Sequence, residues 1–416
     1  MSGRVAALGW ILSRLVVLLL LLGYEAAHGV GSDVTYFARS LLSVSHHGLA
    51  NTLVEYPVPA VAVLAVPMGL AAAAGSTDLY PATLLLCLLV TDAVFTTVLF
   101  QAAPVARRRD SLVAWLLAGP LLGGVLLARL DLVVGVLAGV VVLIGLRRPA
   151  WAAVTVVVAT SLKLWPVLLV PAVLAAARRR LRSAALVAAI GMVLAACIVA
   201  VTGPGRLLSP LTYQSDRGLQ VESVAATPGM LAWAITGRPW HVHYAASRSF
   251  EVVGPGTGAL ILLSTVLTLV LLVVLALSWG RALRRHPAIS EEALVWLCLT
   301  AVATFIVSSK VLSPQYLLWL LPIAVVGLAR VGTPSLRTWT VLLLGVCGLT
   351  HLVYPWLYRG LVRHNGLTDV ALVALAVRNL GLVLLLALAL RSAWRSISPD
   401  TGAEPPPTTA SSSATH

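Results

Sequence analysis

Three charged side chains stand out in this chain because each lies where an apolar run ends. Asp33 follows the run LGWILSRLVVLLLLLGYEAA, in the stretch GSDVTYFARS at residues 31–40. The only two lysines, Lys163 and Lys310, each lie between an apolar run and a proline, in SLKLWP and SSKVLSP. A carboxylate can act as a general base, and ammonium groups can hold an anionic oxygen such as that of a phosphate. These three residues are therefore the first candidates for chemistry.

Each of the three also has a simpler interpretation. Asp33 could cap a helix that starts near Val34, because Asp is a favoured N-cap residue. A lysine at the end of a membrane helix is often an anchor that reaches the interface. Both alternatives stay open at the level of sequence.

The segments that carry these residues have the composition of membrane helices. The 416-residue chain is 59% hydrophobic and only 11% charged, and its mean hydropathy is +0.95, whereas soluble domains carry about 25% charged residues. Its long Leu/Val/Ala-rich runs lack the alternation of a membrane β-barrel. The sequence therefore predicts an all-α polytopic membrane protein that contacts membrane lipids.

The distribution of positive charge predicts how the helices are oriented. The net charge is +14, and 27 of the 29 basic residues are Arg, clustered in short loops between apolar runs. Such loops face the cytoplasm in membrane proteins, and no nucleic-acid-binding module is recognisable. We therefore expect a multi-pass protein of the plasma membrane with both termini cytoplasmic, and no nucleic-acid partner.

The positions of the basic loops predict twelve crossings. Residues 1–396 form one membrane domain with outer loops at 24–81 and 203–256, and the Pro/Ser/Thr-rich residues 397–416 form a disordered cytoplasmic tail. The parity of the crossings leaves residues 56–73, which contain three prolines, as a re-entrant or interfacial segment of the first outer loop. The predicted crossings are 8–23, 82–104, two within 111–147, two within 150–177, 183–202, 257–279, 291–308, 315–330, 336–354 and 368–391.

This topology collects polar side chains from distant loops on one outer face, as expected of a site built from loops on a helical scaffold. The stretch RGLQVES is either a solvated loop helix or a clamp over a polar ligand. The residues predicted at this face are Asp33, Glu55, Tyr56, Asp131, Lys163, Arg217, Gln220, Glu222, Lys310, Gln315, Tyr316 and His351.

Other polar residues suggest packing more than chemistry. Asp92 lies within an apolar run and is interpreted as a partner for Thr91 or an arginine. The two histidines of HVH at 241–243 have the spacing of metal ligands but no third ligand at a set position. The chain has no Gly-rich nucleotide-binding loop. We therefore expect neither a metal nor another cofactor.

Taken in order, several short motifs resemble a known group of enzymes. The motifs are SDVTYF, VEYPVPA, RLDLVVGVLAGVVVLIGLRR, SLKLWPVLLVP, RGLQVESV and KVLSPQYLLWLLP. Over residues 5–390 the chain resembles the integral-membrane glycosyltransferases of the GT-C class. It is most similar to family 87, the domain once called DUF2029, which includes polyprenol-phosphate-mannose-dependent α-1,2-mannosyltransferases of actinobacteria.

The resemblance implies roles for particular residues. It implies that Asp33 is the catalytic acid of the first outer loop and that Lys163 and Lys310 face the donor phosphate. His351 would match a histidine near that phosphate. The remaining substrate-binding residues that it implies are Tyr36, Glu55, Tyr56, Arg217, Gln220, Glu222, Gln315 and Tyr316.

The activity implied is transfer of a hexose, mannose above all, from a polyprenyl-phosphate donor to a hydroxyl group. The acceptor would be a glycan or glycolipid, such as a lipoglycan of the cell envelope, on the extracytoplasmic face. Asp33 would accept the proton of the attacking hydroxyl, and a single displacement would invert the anomeric carbon. The alternative is a transporter or flippase for a lipid-linked sugar, for which inverted repeats and charges at mid-membrane depth are typical.

Overall fold

The computed structural model describes residues 1–236, 239–285 and 288–397, and these residues are mainly helical. One antiparallel hairpin pairs His241–Tyr244 (β1) with Phe250–Val253 (β2). The α-helices are Gly3–Leu20 (α1), Ser32–Leu42 (α2), Val44–His47 (α3), Val58–Ala73 (α4), Tyr80–Ala102 (α5), Val105–Leu122 (α6), Asp131–Ile144 (α7), Pro149–Leu162 (α8), Val170–Ala176 (α9), Arg180–Thr202 (α10), Gly205–Ser215 (α11), Thr227–Thr236 (α12), Thr257–Leu283 (α13), Glu291–Ser308 (α14), Leu317–Arg330 (α15), Pro334–His351 (α16), Tyr358–Val362 (α17) and Thr368–Ile397 (α18).

Within the described residues, eight helical segments are long and apolar enough to cross a membrane. This confirms the prediction of an all-α, multi-pass membrane protein. The eight segments are Gly3–His28, Thr77–Ala102, Val105–Leu126, Arg180–Thr202, Thr257–Leu283, Glu291–Ser308, Pro334–Trp356 and Thr368–Ile397.

The other four predicted crossings coincide with shorter apolar helices, so the total of twelve stays a prediction. A 14-residue helix such as α7 or α8 is about 21 Å long, whereas the hydrocarbon core of a bilayer is about 30 Å thick. The four short helical segments are Asp131–Ile144, Pro149–Leu162, Trp165–Ala176 and Pro314–Arg330.

The proline-rich segment of the first predicted outer loop is a regular helix, α4. Pro57 is its N-cap residue and Pro59 lies in its first turn, where a missing backbone N–H costs nothing. Its 16 residues reach about 24 Å, so it is also shorter than a typical crossing. The re-entrant path of α4 remains a prediction.

The 203–256 segment contains more structure than a loop. It carries α11, α12 and the β-hairpin, and the stretch RGLQVES within it has no helix. Gln220 forms a bridge with Glu251 of β2, and both Gln220 and Glu222 are buried. The interpretation of this stretch as a solvated helix was therefore wrong. Of the predicted tail, Ile397 belongs to α18, and residues 398–416 lie outside the described residues.

The centre of the bundle is formed by α7, α14, α15 and α18. Glycines of α7 let its backbone approach α15 closely: a Cβ atom at Gly135 would clash with the carbonyl oxygen of Leu318. Such small residues permit tight helix contacts in membranes. Along α10 and α13 most of the apolar side chains are exposed, as expected of helices that face lipid.

The loops that carry the basic clusters contact one another at one end of the bundle. Arg107, at the start of α6, donates a hydrogen bond to the carbonyl oxygen of Arg330, and Arg330 pairs with Glu291 at 2.6 Å. Arg180 donates to the carbonyl oxygens of Leu283 and Arg285. The helices α7, α8, α14 and α15 run from this end to the polar residues predicted at the opposite face.

Candidate functional site

A single cavity of about 410 Å³ brings together most of the residues that the sequence predicts for a site. It lies between α2, the 203–256 segment and the ends of several bundle helices. The predicted residues that line it are Asp33, Tyr36, Glu55, Tyr56, Lys163, Arg217, Gln220, Glu222, Gln315 and Tyr316.

The backbone before α2 determines where Asp33 lies. Gly29 has a φ of +102°, a conformation that strongly favours glycine, and it ends the helical turns that extend α1. The next helix starts at Ser32 with Gly31 as its N-cap residue, and no side chain caps it. Asp33 is thus inside the first turn of α2, and the N-cap interpretation of this residue was wrong.

The carboxylate of Asp33 lies against a buried arginine that the sequence analysis did not select. Oδ2 of Asp33 is 3.2 Å from Nε of Arg129, a close ion pair without hydrogen-bond geometry. The Arg129 guanidinium donates to the carbonyl oxygen of Val30 at 2.8 Å. Burial lowers the pKa of Arg129, but Asp33 and other nearby groups raise this pKa by more, so the net shift is upward. Arg129 is therefore a permanent positive charge in the cavity wall.

Lys163 is held rigidly at the end of α8. Its Nζ donates to Oδ1 of Asp131 at 2.6 Å, and that same oxygen accepts a hydrogen bond from the indole of Trp319 at 2.6 Å. Nζ also lies 5.2–5.9 Å from the ring centres of Tyr56, Tyr316 and Trp319, within the range of cation–π attraction. The ammonium group keeps donors free for a ligand, because its contact with Asp131 uses only one of three.

Tyr36 and Glu55 form a neighbouring part of the wall with Arg248, which sequence analysis also missed. Burial and the carboxylate of Glu55 raise the pKa of Tyr36, so its hydroxyl stays protonated and can donate. Arg248 stacks over the ring of Tyr36 at 3.7 Å. It has a φ of +58° in the turn of the hairpin, an uncommon conformation for a residue other than glycine. The backbone before Glu55 is held by Arg206, which donates to the carbonyl oxygens at 52 and 53.

Gln220 and Glu222 attach the 203–256 segment to the helices. Oε1 of Gln220 accepts from the backbone N–H of Leu312 at 2.7 Å. Glu222 pairs with Arg378 of α18 at 3.3 Å. Burial raises the pKa of Glu222 to about 7, although Arg378 opposes that shift. Both residues line the cavity, and both also hold the 203–256 segment against the helices.

Three residues predicted at the outer face do not line the cavity: Asp131, Lys310 and His351. Nζ of Lys310 donates to the carbonyl oxygen of Ser215 at 2.9 Å. Nε2 of His351 is 2.5 Å from Oε1 of buried Glu25 and accepts a hydrogen bond from Trp356 at 3.2 Å. Lys310 and His351 therefore have protein partners outside the cavity, and their roles beside a donor phosphate stay predictions.

Several residues that line the cavity were missed by the sequence analysis. Arg129 lies in the turn before α7, and it is an arginine at the end of the bundle opposite the basic loops, which is the signal that could have identified it. Four tyrosines that the sequence analysis did not select also line the cavity: Tyr213, Tyr244, Tyr354 and Tyr358.

Other polar groups are accounted for by packing. Asp92 forms two hydrogen bonds of 2.7 Å with buried Arg14, in agreement with its interpretation as a packing residue. In the parts of the chain that the structure describes, no three His, Cys, Asp or Glu side chains form a group that could hold a metal ion. The pair His241 and His243 lies on β1, with ring centres 6.0 Å apart.

The fold and the cavity together define a multi-pass helical membrane protein with a polar, cation-lined pocket at one end of its bundle. Comparisons of the chain with protein-family models, with curated proteins and with solved structures found no match. The function is therefore argued below from the cavity itself and from the motifs in the sequence.

Proposed function

We propose that this chain is a glycosyltransferase that moves a hexose, mannose in the first instance, from a polyprenyl-phosphate donor to a hydroxyl group of a glycan or glycolipid. In this proposal the cavity opens on the extracytoplasmic side of the plasma membrane. The observation that carries it is the meeting of Asp33 with fixed cations and tyrosines in one cavity, at the end of a bundle of membrane-length helices.

The cations match the charge of the donor. A polyprenyl phosphate leaves with additional negative charge, and cations fixed in place before the reaction stabilise such charge effectively. Arg129 and Lys163 are both held by protein contacts and both line the cavity. Arg129 replaces Lys310 as the proposed second cation. Because two cations can balance the leaving phosphate, the proposal needs no metal ion.

The surroundings of Asp33 support its proposed role as a general base. Its Oδ2 faces Arg129, and within the described residues no hydrogen bond engages its Oδ1. The side chain is 32% exposed, so an acceptor hydroxyl can reach it. In the proposed step the acceptor oxygen bonds to the anomeric carbon, its proton passes to Asp33, and the bond from that carbon to the phosphate oxygen breaks. A single displacement of this kind inverts the anomeric configuration.

Purified protein in lipid nanodiscs, supplied with radiolabelled polyprenyl-phosphate mannose and a mannoside acceptor, tests the proposal. We expect a labelled glycan whose new linkage is inverted relative to the donor. Parallel reactions with polyprenyl-phosphate glucose and arabinose identify the sugar. If proteoliposomes move the intact donor between leaflets and no donor gives a product, the chain is a transporter and the proposal fails.

A further inference from the structure

A second cavity of about 400 Å³ adjoins the main one, and every residue that lines it has a polar side chain. The two cavities share Ser32, Asp33, Tyr36, Tyr244 and Arg248. Each of the nine side chains around the second cavity carries a hydroxyl, a carboxylate or a guanidinium group. Such a surface is unexpected in a chain that is 59% hydrophobic, since unpaired polar groups favour water or a polar ligand over lipid.

One face of α2 forms the floor of this second cavity, which we call the α2 groove. Thr35, Arg39 and Ser43 follow one another at intervals of four residues, and Tyr36 and Ser40 lie beside them. Residues at such intervals share a helix face. With 11 residues, α2 presents this face over about 16 Å, which is longer than one sugar ring. The groove starts at Asp33 and leads away from it.

The groove continues past the stacked pair of Tyr36 and Arg248. A third cavity of about 320 Å³ is lined by the same two residues. Ser40 and Ser43 also line both this cavity and the α2 groove. Its far wall includes Asn51, whose side-chain nitrogen donates to the carbonyl oxygen of His47. The polar surface therefore extends from the proposed base to the loop after α3.

We propose that the α2 groove binds the acceptor, and that the acceptor presents a run of several sugar rings. The inference rests on the proposed function above and names its acceptor class. Small hydroxyl side chains can exchange hydrogen bonds with sugar hydroxyls, and the exposed ring of Tyr244 offers a flat face to a sugar. The reacting hydroxyl lies at Asp33, and the rings behind it occupy the groove. An apolar acceptor would displace water from these polar side chains without replacing its hydrogen bonds, at a cost for each.

An acceptor series measures this directly. With a working donor, we expect the KM for mannose, mannobiose, mannotriose and mannopentaose to fall about tenfold or more over the series. In a Thr35→Val, Arg39→Gln double variant this dependence on length should flatten, because both changed side chains line the groove and are exposed. Ser45→Ala is the matched control, since exposed Ser45 lines neither the groove nor the main cavity. A KM that is independent of acceptor length in an active protein overturns the inference.

A binding measurement separates failure of the inference from failure of the proposed function. Mannotriose carrying a photoreactive diazirine should label peptides within residues 32–51, whether or not any donor supports transfer, and excess mannotriose should prevent that labelling. Octyl mannotrioside is expected to label the same peptides, because the sugar rings are what the groove binds. Labelling only by the octyl compound, no labelling in these peptides, or displacement by inorganic phosphate would each overturn the inference.

Discussion

Replacing Asp33 by Asn tests the proposed base with little change in shape. The amide of Asn cannot accept the proton of an attacking hydroxyl. General bases contribute about 10²–10⁴-fold to the rate, so kcat should fall by about that factor. In free energy this is about 3–5 kcal/mol of activation barrier.

The same substitution also removes the counter-ion of Arg129, whose side chain is only 6% exposed. Breaking a fully buried pair costs about 3–5 kcal/mol. The cost here should be smaller, about 1–2 kcal/mol, because Asp33 is 32% exposed and Arg129 keeps its bonds to two carbonyl groups. The expected loss of stability is thus smaller than the expected loss of catalysis.

The assay compares initial rates of transfer from labelled polyprenyl-phosphate mannose, normalised to monodisperse protein, with melting temperatures from scanning fluorimetry. Asp33→Glu should recover stability, since a charge faces Arg129 again, but recover little activity because the carboxylate moves. Asp78→Asn, at an exposed acid outside the cavity, is the control. An Asp33→Asn protein that is folded and retains more than about a tenth of kcat would refute the base assignment.

Three further predictions follow from the geometry of the site and its supports. Lys163→Gln should lower kcat about 10²–10³-fold because a cation leaves the cavity wall, whereas Lys310→Gln should change it by less than about tenfold; steady-state kinetics measure both. Gly124→Ala should lower the free energy of unfolding by about 1–3 kcal/mol, because the added methyl group would lie 2.5 Å from a buried carboxylate oxygen, whereas Gly191→Ala meets nothing within 4 Å and should be neutral or stabilising; thermal unfolding compares them. Burial raises the pKa of Glu222 from 4.5 to about 7, so the folded protein holds this proton more tightly than the unfolded chain, and stability should fall by up to about 3 kcal/mol as pH rises through that interval; Glu222→Gln should remove this part of the pH dependence of the melting temperature.

Each of these predictions has an outcome that contradicts it. Equal losses of kcat in the two lysine variants would mean that the cavity boundary does not separate their roles. Equal melting temperatures for the two glycine variants would show that the close approach near residue 124 is not tightly packed. The assigned direction of the Glu222 pKa shift would be wrong if stability rose between pH 4.5 and 7 in the unmodified protein and this rise were absent from the Glu222→Gln variant.

The membrane helices could be predicted from sequence because lipid imposes a simple requirement. A segment that crosses a bilayer must be apolar for about 20 residues and must satisfy its backbone internally. The convergence of Asp33 with Lys163 also followed from sequence, because loops after alternate crossings share one face. No knowledge of side-chain packing was needed for either result.

The exact contacts of the site could not be predicted in the same way. His351 looks reactive in sequence, but its partner Glu25 is 326 residues away along the chain, and only the fold brings them together. The sequence places Arg129 only in a turn, because its contact with Asp33 depends on the tertiary fold. The hairpin that carries Arg248 has strands of four residues, too short to be recognised beside stronger helical patterns.

The short helices beside the cavity have a consequence for the surrounding lipid. Arg107 of α6 contacts the carbonyl oxygen of Arg330, the last residue of α15, at the basic end, and the 14 residues of α15 reach about 21 Å. A membrane crossing by α15 alone would therefore be about 9 Å shorter than a 30 Å hydrocarbon layer. A crossing of that length would require the bilayer to thin locally beside the cavity.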